Sequence, residues 1–78
     1  MDDLELYYQP TCPYCLKVLR FMEANGIDFE KKNTMDADNR ARLLKVGGMN
    51  QVPCLFIAGK PLYESNDIIT YLRNRYLS

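Results

Sequence analysis

In the first third of the chain, apolar residues recur first with the period of a β-strand and then with the period of an α-helix. Residues 4–8 alternate and are rich in residues that favour strands, which predicts a first β-strand. After a break at residues 9–11, apolar residues recur at helical spacing, at Cys15, Val18, Leu19 and Met22. Pro13 suits the first turn of this helix, where its missing N–H costs nothing, and Gly26 suits its end. The pattern predicts a strand and then a helix, with Cys12 at or beside the helix N-terminus.

Shorter elements are predicted for the middle of the chain. Residues 27–32 favour a second strand, and Asp36 or Asp38 suits the cap of a short helix that Gly47 and Gly48 end. The apolar side of this helix is predicted to hold Ala41, Leu44 and Leu43. These elements would complete a strand–helix–strand unit and add a second helix.

The last third of the chain predicts a hairpin and a final helix. Residues 54–57 are a continuous apolar run, typical of a strand buried on both faces. Residues 60–63 follow a turn at residues 58–59 and contain Pro61, which cannot donate to a ladder, so they predict an edge strand. Ser65 then caps a helix whose buried face would hold Ile68, Ile69, Leu72 and Tyr76.

The order of these elements predicts an α/β fold. A helix between two hydrophobic strands implies a parallel pair, and the closing hairpin adds antiparallel strands. The result is a four-stranded mixed sheet with three helices, in the order βαβ-α-ββ-α and with helices on both faces, which resembles the thioredoxin fold. The chain has 78 residues and is predicted to form one domain, residues 1–78, since single cores usually belong to chains of roughly 50–200 residues.

Composition and charge exclude several classes of function. Ten basic and ten acidic side chains give a formal charge of zero, which removes the electrostatic basis for nucleic-acid binding. No apolar run approaches the roughly 18 residues of a membrane-spanning helix. The acidic start lacks the positive charge of a secretory signal, so we expect a cytoplasmic monomer without membrane partners. Because the chain has no histidine, Ser-His-Asp or Cys-His catalysis, Cys₂His₂ zinc sites and histidine-ligated haem are excluded within it.

Three cysteines define the candidate chemistry, and two of them form the C-x-x-C run Cys12-Pro13-Tyr14-Cys15. A disulfide scaffold or a Cys₄ zinc site needs more cysteines than this chain supplies, which favours a redox pair. Cys12 at a helix N-terminus would lie against about half a positive charge, which stabilises a thiolate. Cys15 lies on the same helix face, within reach of a disulfide. Two reduced core cysteines, or an iron–sulfur site completed by a second chain or external thiols, are the alternatives.

Two segments together resemble the dithiol glutaredoxin family over nearly the whole chain: residues 11–15, Thr-Cys-Pro-Tyr-Cys, and Val52-Pro53 with the apolar strand that follows. The resemblance implies glutathione-dependent reduction of protein disulfides and glutathione mixed disulfides. It implies that Cys12 is the nucleophile and Cys15 the resolving thiol, with a Cys12–Cys15 redox disulfide. The implied partners are glutathione, as co-substrate, and disulfide-containing or glutathionylated proteins; no metal is expected.

The resemblance also implies a glutathione site. A cis Val52-Pro53 bond would present the Val52 backbone to the cysteinyl residue of glutathione. Free N–H groups of Ser65 and Asn66 at the start of the last helix would hold a carboxylate, and Asp67 would meet the ammonium group. The full set of predicted glutathione-binding residues is Thr11, Pro13, Tyr14, Gln51, Val52, Pro53, Ser65, Asn66 and Asp67.

Two positions depart from the glutaredoxin pattern. Gln9 stands where the family commonly has a lysine that meets the glycine carboxylate of glutathione. Tyr63-Glu64 replaces a pair of glycines, and Glu64-Ser65 resembles the equivalent pair in the N-terminal domain of glutathione transferases. The side chains that could supply the missing positive charge are Arg40, Arg42 and Lys45.

Two rival functions therefore stay open. One is an iron–sulfur carrier, in which Cys12 and glutathione would ligate a bridging cluster in a dimer. The other is a transferase-like domain that holds glutathione without turnover. Cys54, within a strand buried on both faces, is predicted to be a small core residue.

Overall fold

The computed structural model describes residues 3–77, and its elements follow the predicted order. The strands are β1 (Leu4–Tyr8), β2 (Glu30–Asn33), β3 (Cys54–Ile57) and β4 (Lys60–Tyr63). The helices are α1 (Pro13–Ala24), α2 (Ala37–Arg42) and α3 (Ser65–Leu77), and a π-helical turn (Leu43–Gly47) continues α2. No helix within residues 3–77 is long and apolar enough to cross a membrane.

The four strands form one mixed sheet in the order β2-β1-β3-β4. β1 and β2 are parallel, as the crossover helix predicts, and β3 is antiparallel to both β1 and β4. The register aligns Tyr7 with Cys54 and Cys54 with Tyr63 across three neighbouring strands. This topology confirms the predicted thioredoxin-like fold, with β4 at one edge of the sheet.

Side chains of β1 and β3 alternate between two cores on opposite faces of the sheet. The large core, under α1 and α3, comprises Leu4, Leu6, Val18, Met22, Ile27, Phe29, Leu55, Ile68, Ile69 and Leu72. The small core, under the π-helical turn, comprises Tyr7, Leu43, Cys54 and Phe56, with Val52 and Tyr63 packed against it. β3 contributes side chains to both cores, which explains its continuous apolar run. This confirms the prediction that the strand is buried on both faces.

The second strand begins later than the sequence predicts. The prediction was residues 27–32, whereas β2 spans Glu30–Asn33. The Ile27 N–H donates to the Met22 carbonyl at 2.9 Å and so closes the end of α1 instead of joining the sheet. Ile27 and Phe29 are buried in the large core, so the apolar residues that indicated a strand form its lead-in.

The second helix begins as predicted but faces the core differently. Asp36 is its cap, and its side chain accepts two backbone N–H bonds in the first turn. The helix then widens into the π-helical turn, which shifts the residues that face the sheet. Leu43, at the start of this turn, is buried, whereas Leu44 is 52% exposed; Ala41, which precedes the turn, is also exposed, contrary to the prediction for these two.

The last helix corrects two further expectations. Ser65 is its first residue and not its cap; the preceding residue, Glu64, accepts the Ile68 N–H on its carbonyl at 3.0 Å. Tyr76 is 41% exposed, and Tyr71 packs against the large core instead.

Candidate active site

The C-x-x-C run lies where β1 ends and α1 begins. Cys12 is the N-cap residue of α1, with an extended backbone (φ −84°, ψ 121°), and it is partly exposed. Pro13 occupies the first helical turn, as its missing N–H and fixed φ favour. Cys15 lies one turn into the helix and is fully buried. The two sulfur positions therefore differ strongly in their access to solvent.

Burial also sets the chemistry of Cys15. Loss of solvent raises its pKa to about 12, and a hydrogen bond to Cys12 adds to the increase. The Gln9 N–H, which donates to the Cys15 Sγ at 3.4 Å, acts in the opposite direction. Both cysteines carry free thiols in this structure. At neutral pH the buried sulfur is therefore protonated and rests beside the more accessible one.

A cavity of about 340 Å³ lies beside the start of α1. It is lined by Tyr14, Lys17, Gln51, Val52, Pro53, Glu64, Ser65 and Asn66. The Val52–Pro53 bond is cis, as the resemblance to glutaredoxins implied. Most of the predicted glutathione-binding residues thus meet in one cavity, although they come from three separate segments of the chain.

Some predicted residues are not part of this cavity. Thr11 and Asp67 are exposed and line no part of its wall, and Pro13 contributes to the helix start instead. Lys17 lines the cavity and was not predicted. The signal that could have found it is its spacing of three from Tyr14, which places both side chains on one face of α1.

Glu64 has an unusual backbone conformation at the edge of this cavity. Its φ of 76° lies in the left-handed region, which costs a residue with a β-carbon roughly 1–2 kcal/mol. The glutaredoxin pattern has glycine there, which adopts this conformation without that cost. A glutamate therefore lines the cavity at a position where glycine would have no backbone strain.

A second cavity of about 220 Å³ shares Val52 with the first. Its wall includes Gln9, Thr34 and Arg40, and the Arg40 guanidinium donates to the Thr34 carbonyl at 3.0 Å. Arg42 instead donates to the Tyr7 hydroxyl at 2.8 Å, within the small core. Arg40 therefore lines the second cavity, whereas Arg42 contacts Tyr7; the sequence alone does not distinguish these two arginines.

Cys54 lies on the other face of the sheet, in the small core. It is fully buried, which confirms the expectation of a core residue, and burial raises its pKa to about 11. A hydrogen bond with Tyr63 acts against this increase. The Tyr63 hydroxyl also donates to the Met49 carbonyl at 3.2 Å. Cys54 thus contacts a tyrosine where Cys15 contacts a second thiol.

A larger cavity, of about 510 Å³, lies between the end of α1 and the lead-in to β2, and its lining contains no cysteine. No group of three or more cysteine, aspartate or glutamate side chains is arranged to hold a metal ion in the described part of the chain.

The fold and the C-x-x-C run at the start of α1 define a thioredoxin-like thiol protein. Residues 6–77 match the family described as glutathione S-transferase, N-terminal domain, and the chain belongs to that family. Its curated relatives include glutaredoxins, so both names indicated by the sequence, glutaredoxin and transferase N-terminal domain, have support.

Two curated relatives are close to this chain in length. A probable glutaredoxin of Synechocystis is 29% identical over 68 residues, which cover 83% of this chain and 76% of the relative. Glutaredoxin 3 of Escherichia coli is 28% identical over 69 residues, which cover 87% of this chain and 83% of the relative. These relatives support membership of a thiol oxidoreductase family.

Among solved structures, the chain resembles a glutathione transferase and a thioredoxin-like protein. Human glutathione S-transferase T1-1 superposes with a TM-score of 0.81 at 28% identity, over 95% of this chain and 32% of the transferase. The thioredoxin-like protein BC3987 superposes with a TM-score of 0.78 at 31% identity, over 99% of this chain and 96% of its own. The chain therefore spans about a third of the transferase structure and nearly all of the thioredoxin-like one.

Proposed function

We propose that this protein is a glutathione-dependent thiol–disulfide oxidoreductase that reduces protein disulfides and glutathione mixed disulfides. The observation that carries the proposal is the pairing of a partly exposed Cys12 at a helix N-terminus with a buried, protonated Cys15. A helix N-terminus favours negative charge on the outer sulfur, and the inner sulfur keeps its proton until the outer one has reacted. This asymmetry suits an ordered exchange of disulfides.

The proposed cycle consists of two thiol–disulfide exchanges. The Cys12 thiolate attacks the glutathione sulfur of a mixed disulfide, and the substrate protein leaves as a thiolate that takes up a proton. A second glutathione thiolate then attacks the Cys12–glutathione disulfide, which releases glutathione disulfide and restores the Cys12 thiolate. The substrate protein regains a free thiol, and one glutathione thiol is oxidised as it joins the glutathione of the mixed disulfide in glutathione disulfide.

A dithiol route uses Cys15. When the substrate holds an intramolecular disulfide, Cys12 forms a mixed disulfide with one of its sulfurs. Cys15 then loses its proton and attacks Cys12, which releases the reduced substrate and leaves a Cys12–Cys15 disulfide. Two glutathione molecules reduce this disulfide in turn. In this route Cys15 acts only after Cys12, as its burial and raised pKa favour.

Glutathione would bind in an extended form across Val52, which lines both cavities. Its cysteinyl backbone would pair with the Val52 N–H and carbonyl, by the addition of a short strand. The N–H groups of Ser65 and Asn66 would hold the γ-glutamyl carboxylate, near Asp67. Arg40 would face the glycine carboxylate. It would thus supply the positive charge that glutaredoxins commonly have from a lysine at the position of Gln9. We further propose that the protein acts as a monomer in the cytoplasm.

The test is a coupled assay with glutathione and a small glutathione mixed disulfide. Wild type should turn over, Cys12→Ser should have no detectable activity, and Cys15→Ser should retain most activity because the first route does not use Cys15. Equal loss of activity in both variants would contradict the assigned roles. No turnover by wild type, with glutathione binding intact, would contradict the proposed function.

A second candidate is a glutathione-binding domain without turnover. The family match to transferase N-terminal domains and the place of Glu64-Ser65 on the cavity wall favour it. The same samples distinguish the two functions, because this candidate requires glutathione binding by wild type together with no reduction of the mixed disulfide. The C-x-x-C run is intact, which favours the oxidoreductase function over this second candidate.

A further inference from the structure

Lys17 has a special place in the cavity beside Cys12. Among the residues that line this cavity in the described part of the chain, it is the sole lysine or arginine. It follows Tyr14 by three residues on α1, so the two side chains lie on one helix face. Its Nζ donates to the Asn66 Oδ1 at 2.5 Å, in the first turn of α3. The ammonium group of α1 is thereby held against the start of α3.

The Lys17 ammonium group has N–H donors beyond the one that it gives to Asn66. A lysine ammonium has three N–H donors, and Asn66 uses one of them. The first N–H groups of α3 also lack partners within the helix. A carboxylate at this end of the cavity would thus meet backbone donors and a full positive charge together, which makes its hydrogen bonds stronger than neutral ones.

The opposite charge lies at the same end of the cavity. Glu64 lines the wall immediately before Ser65, with the strained backbone described above. A cation with free donors and a carboxylate in one cavity complement an amino-acid head group, which carries one charge of each sign. The γ-glutamyl residue of glutathione has such a head group, whereas a cysteinylglycine unit capped at its nitrogen has none.

We propose that Lys17 determines specificity for the γ-glutamyl group by binding its α-carboxylate from α1. This inference rests on the proposed use of glutathione and adds a residue to it. Lys17 contacts the end of the ligand remote from the thiol, so it contributes to selection of the ligand and takes no part in disulfide exchange.

Binding of two redox-inert probes tests the proposal. Calorimetry would compare S-methylglutathione with N-acetyl-S-methylcysteinylglycine, which lacks the γ-glutamyl group. We expect Lys17→Met to weaken binding of S-methylglutathione about five- to tenfold, within the range of one charge-assisted hydrogen bond at an exposed site. Binding of the shorter probe should change less than about twofold. Lys17→Arg should keep most of the selectivity, and the control Lys60→Met, which removes an exposed charge outside this cavity, should change neither affinity.

Each other outcome has a defined meaning. Equal binding of the two probes by wild type, or an equal loss for both in Lys17→Met, would overturn the role of Lys17. Because the probes cannot exchange disulfides, the result is independent of turnover. If wild type selects S-methylglutathione through Lys17 but does not reduce mixed disulfides, the proposed function fails and the inference holds. If wild type turns over but Lys17→Met leaves the selectivity unchanged, only the inference fails.

Discussion

Cys15 and Cys54 are both fully buried thiols, and they differ in what lies beside them. Cys15 lies beside a second, partly exposed sulfur, that of Cys12 at the start of α1. Cys54 packs beside Tyr63 in the small core, on the other face of the sheet. Burial raises the pKa of both, to about 12 and about 11. Burial alone therefore does not distinguish the thiol that we propose as resolving from a thiol of the core; the neighbouring Cys12 does.

The largest expected difference is in alkylation. Between about pH 7 and 9, iodoacetamide should modify Cys12 at least about 100-fold faster than Cys15 or Cys54, because reaction requires an accessible thiolate. Peptide mapping by mass spectrometry at timed intervals would measure the three rates. In Cys12→Ser, the native protein should resist modification over the same period. Rapid modification of Cys54 in that variant would show that the small core opens readily, and would weaken the comparison.

Substitution by serine separates the two buried thiols by function. Cys15→Ser should reduce turnover of an intramolecular protein disulfide by about tenfold or more, since the dithiol route is lost. Cys54→Ser should leave this rate unchanged once the fraction of folded protein is accounted for. Steady-state rates with a disulfide-containing protein substrate would measure both effects. A rate loss in folded Cys54→Ser equal to that in Cys15→Ser would assign Cys54 a part in the exchange.

The pH dependence of stability tests the environment of Cys54. Its pKa is raised from 9.0 to about 11, so the folded state holds the thiol proton more tightly than the unfolded state. The resulting stabilisation is fully present below about pH 9 and is lost as the pH rises toward about 11. The free energy of unfolding of wild type should therefore fall over this interval by about 1–2 kcal/mol more than that of Cys54→Ala. Urea unfolding at several pH values would measure the difference, and parallel curves would contradict it.

The sequence predicts the fold well because the fold depends on local signals. The periodicity around Val18, the proline at the start of α1 and the apolar run of β3 each indicate an element from neighbouring residues alone. The predicted thioredoxin-like topology follows from the order of these elements. The place of Cys12 at the start of α1 is predicted for the same reason, because it follows from the neighbouring Pro13 alone.

The missed features depend on contacts between distant segments. Lys17 lines the cavity because α1 approaches the start of α3, and the two residues of that hydrogen bond are 49 positions apart. Helical spacing predicts Leu44 on the buried side of the second helix, but Leu44 lies in the π-helical turn, where the helical period changes. The neighbouring residues give no signal of this change. The choice of Arg40 over Arg42 at the second cavity also required the structure, since Arg42 is held by Tyr7 of β1.

The smallest expected effect concerns the partner of Cys54. Tyr63→Phe removes the hydroxyl that donates to the Met49 carbonyl at 3.2 Å, while the ring that packs beside Cys54 remains. Because the Tyr63 side chain is only partly buried, we expect the free energy of unfolding to fall by about 0.5–1 kcal/mol. The Tyr63 hydroxyl also lowers the pKa of Cys54, so its loss should extend the decline of stability above about pH 9 to higher pH. Turnover should remain that of wild type, because the hydroxyl lies in the small core and touches neither Cys12 nor Cys15. Urea unfolding and the coupled assay on one preparation would measure both quantities, and a reduced turnover in folded Tyr63→Phe would show that the small core influences the thiol pair across the sheet.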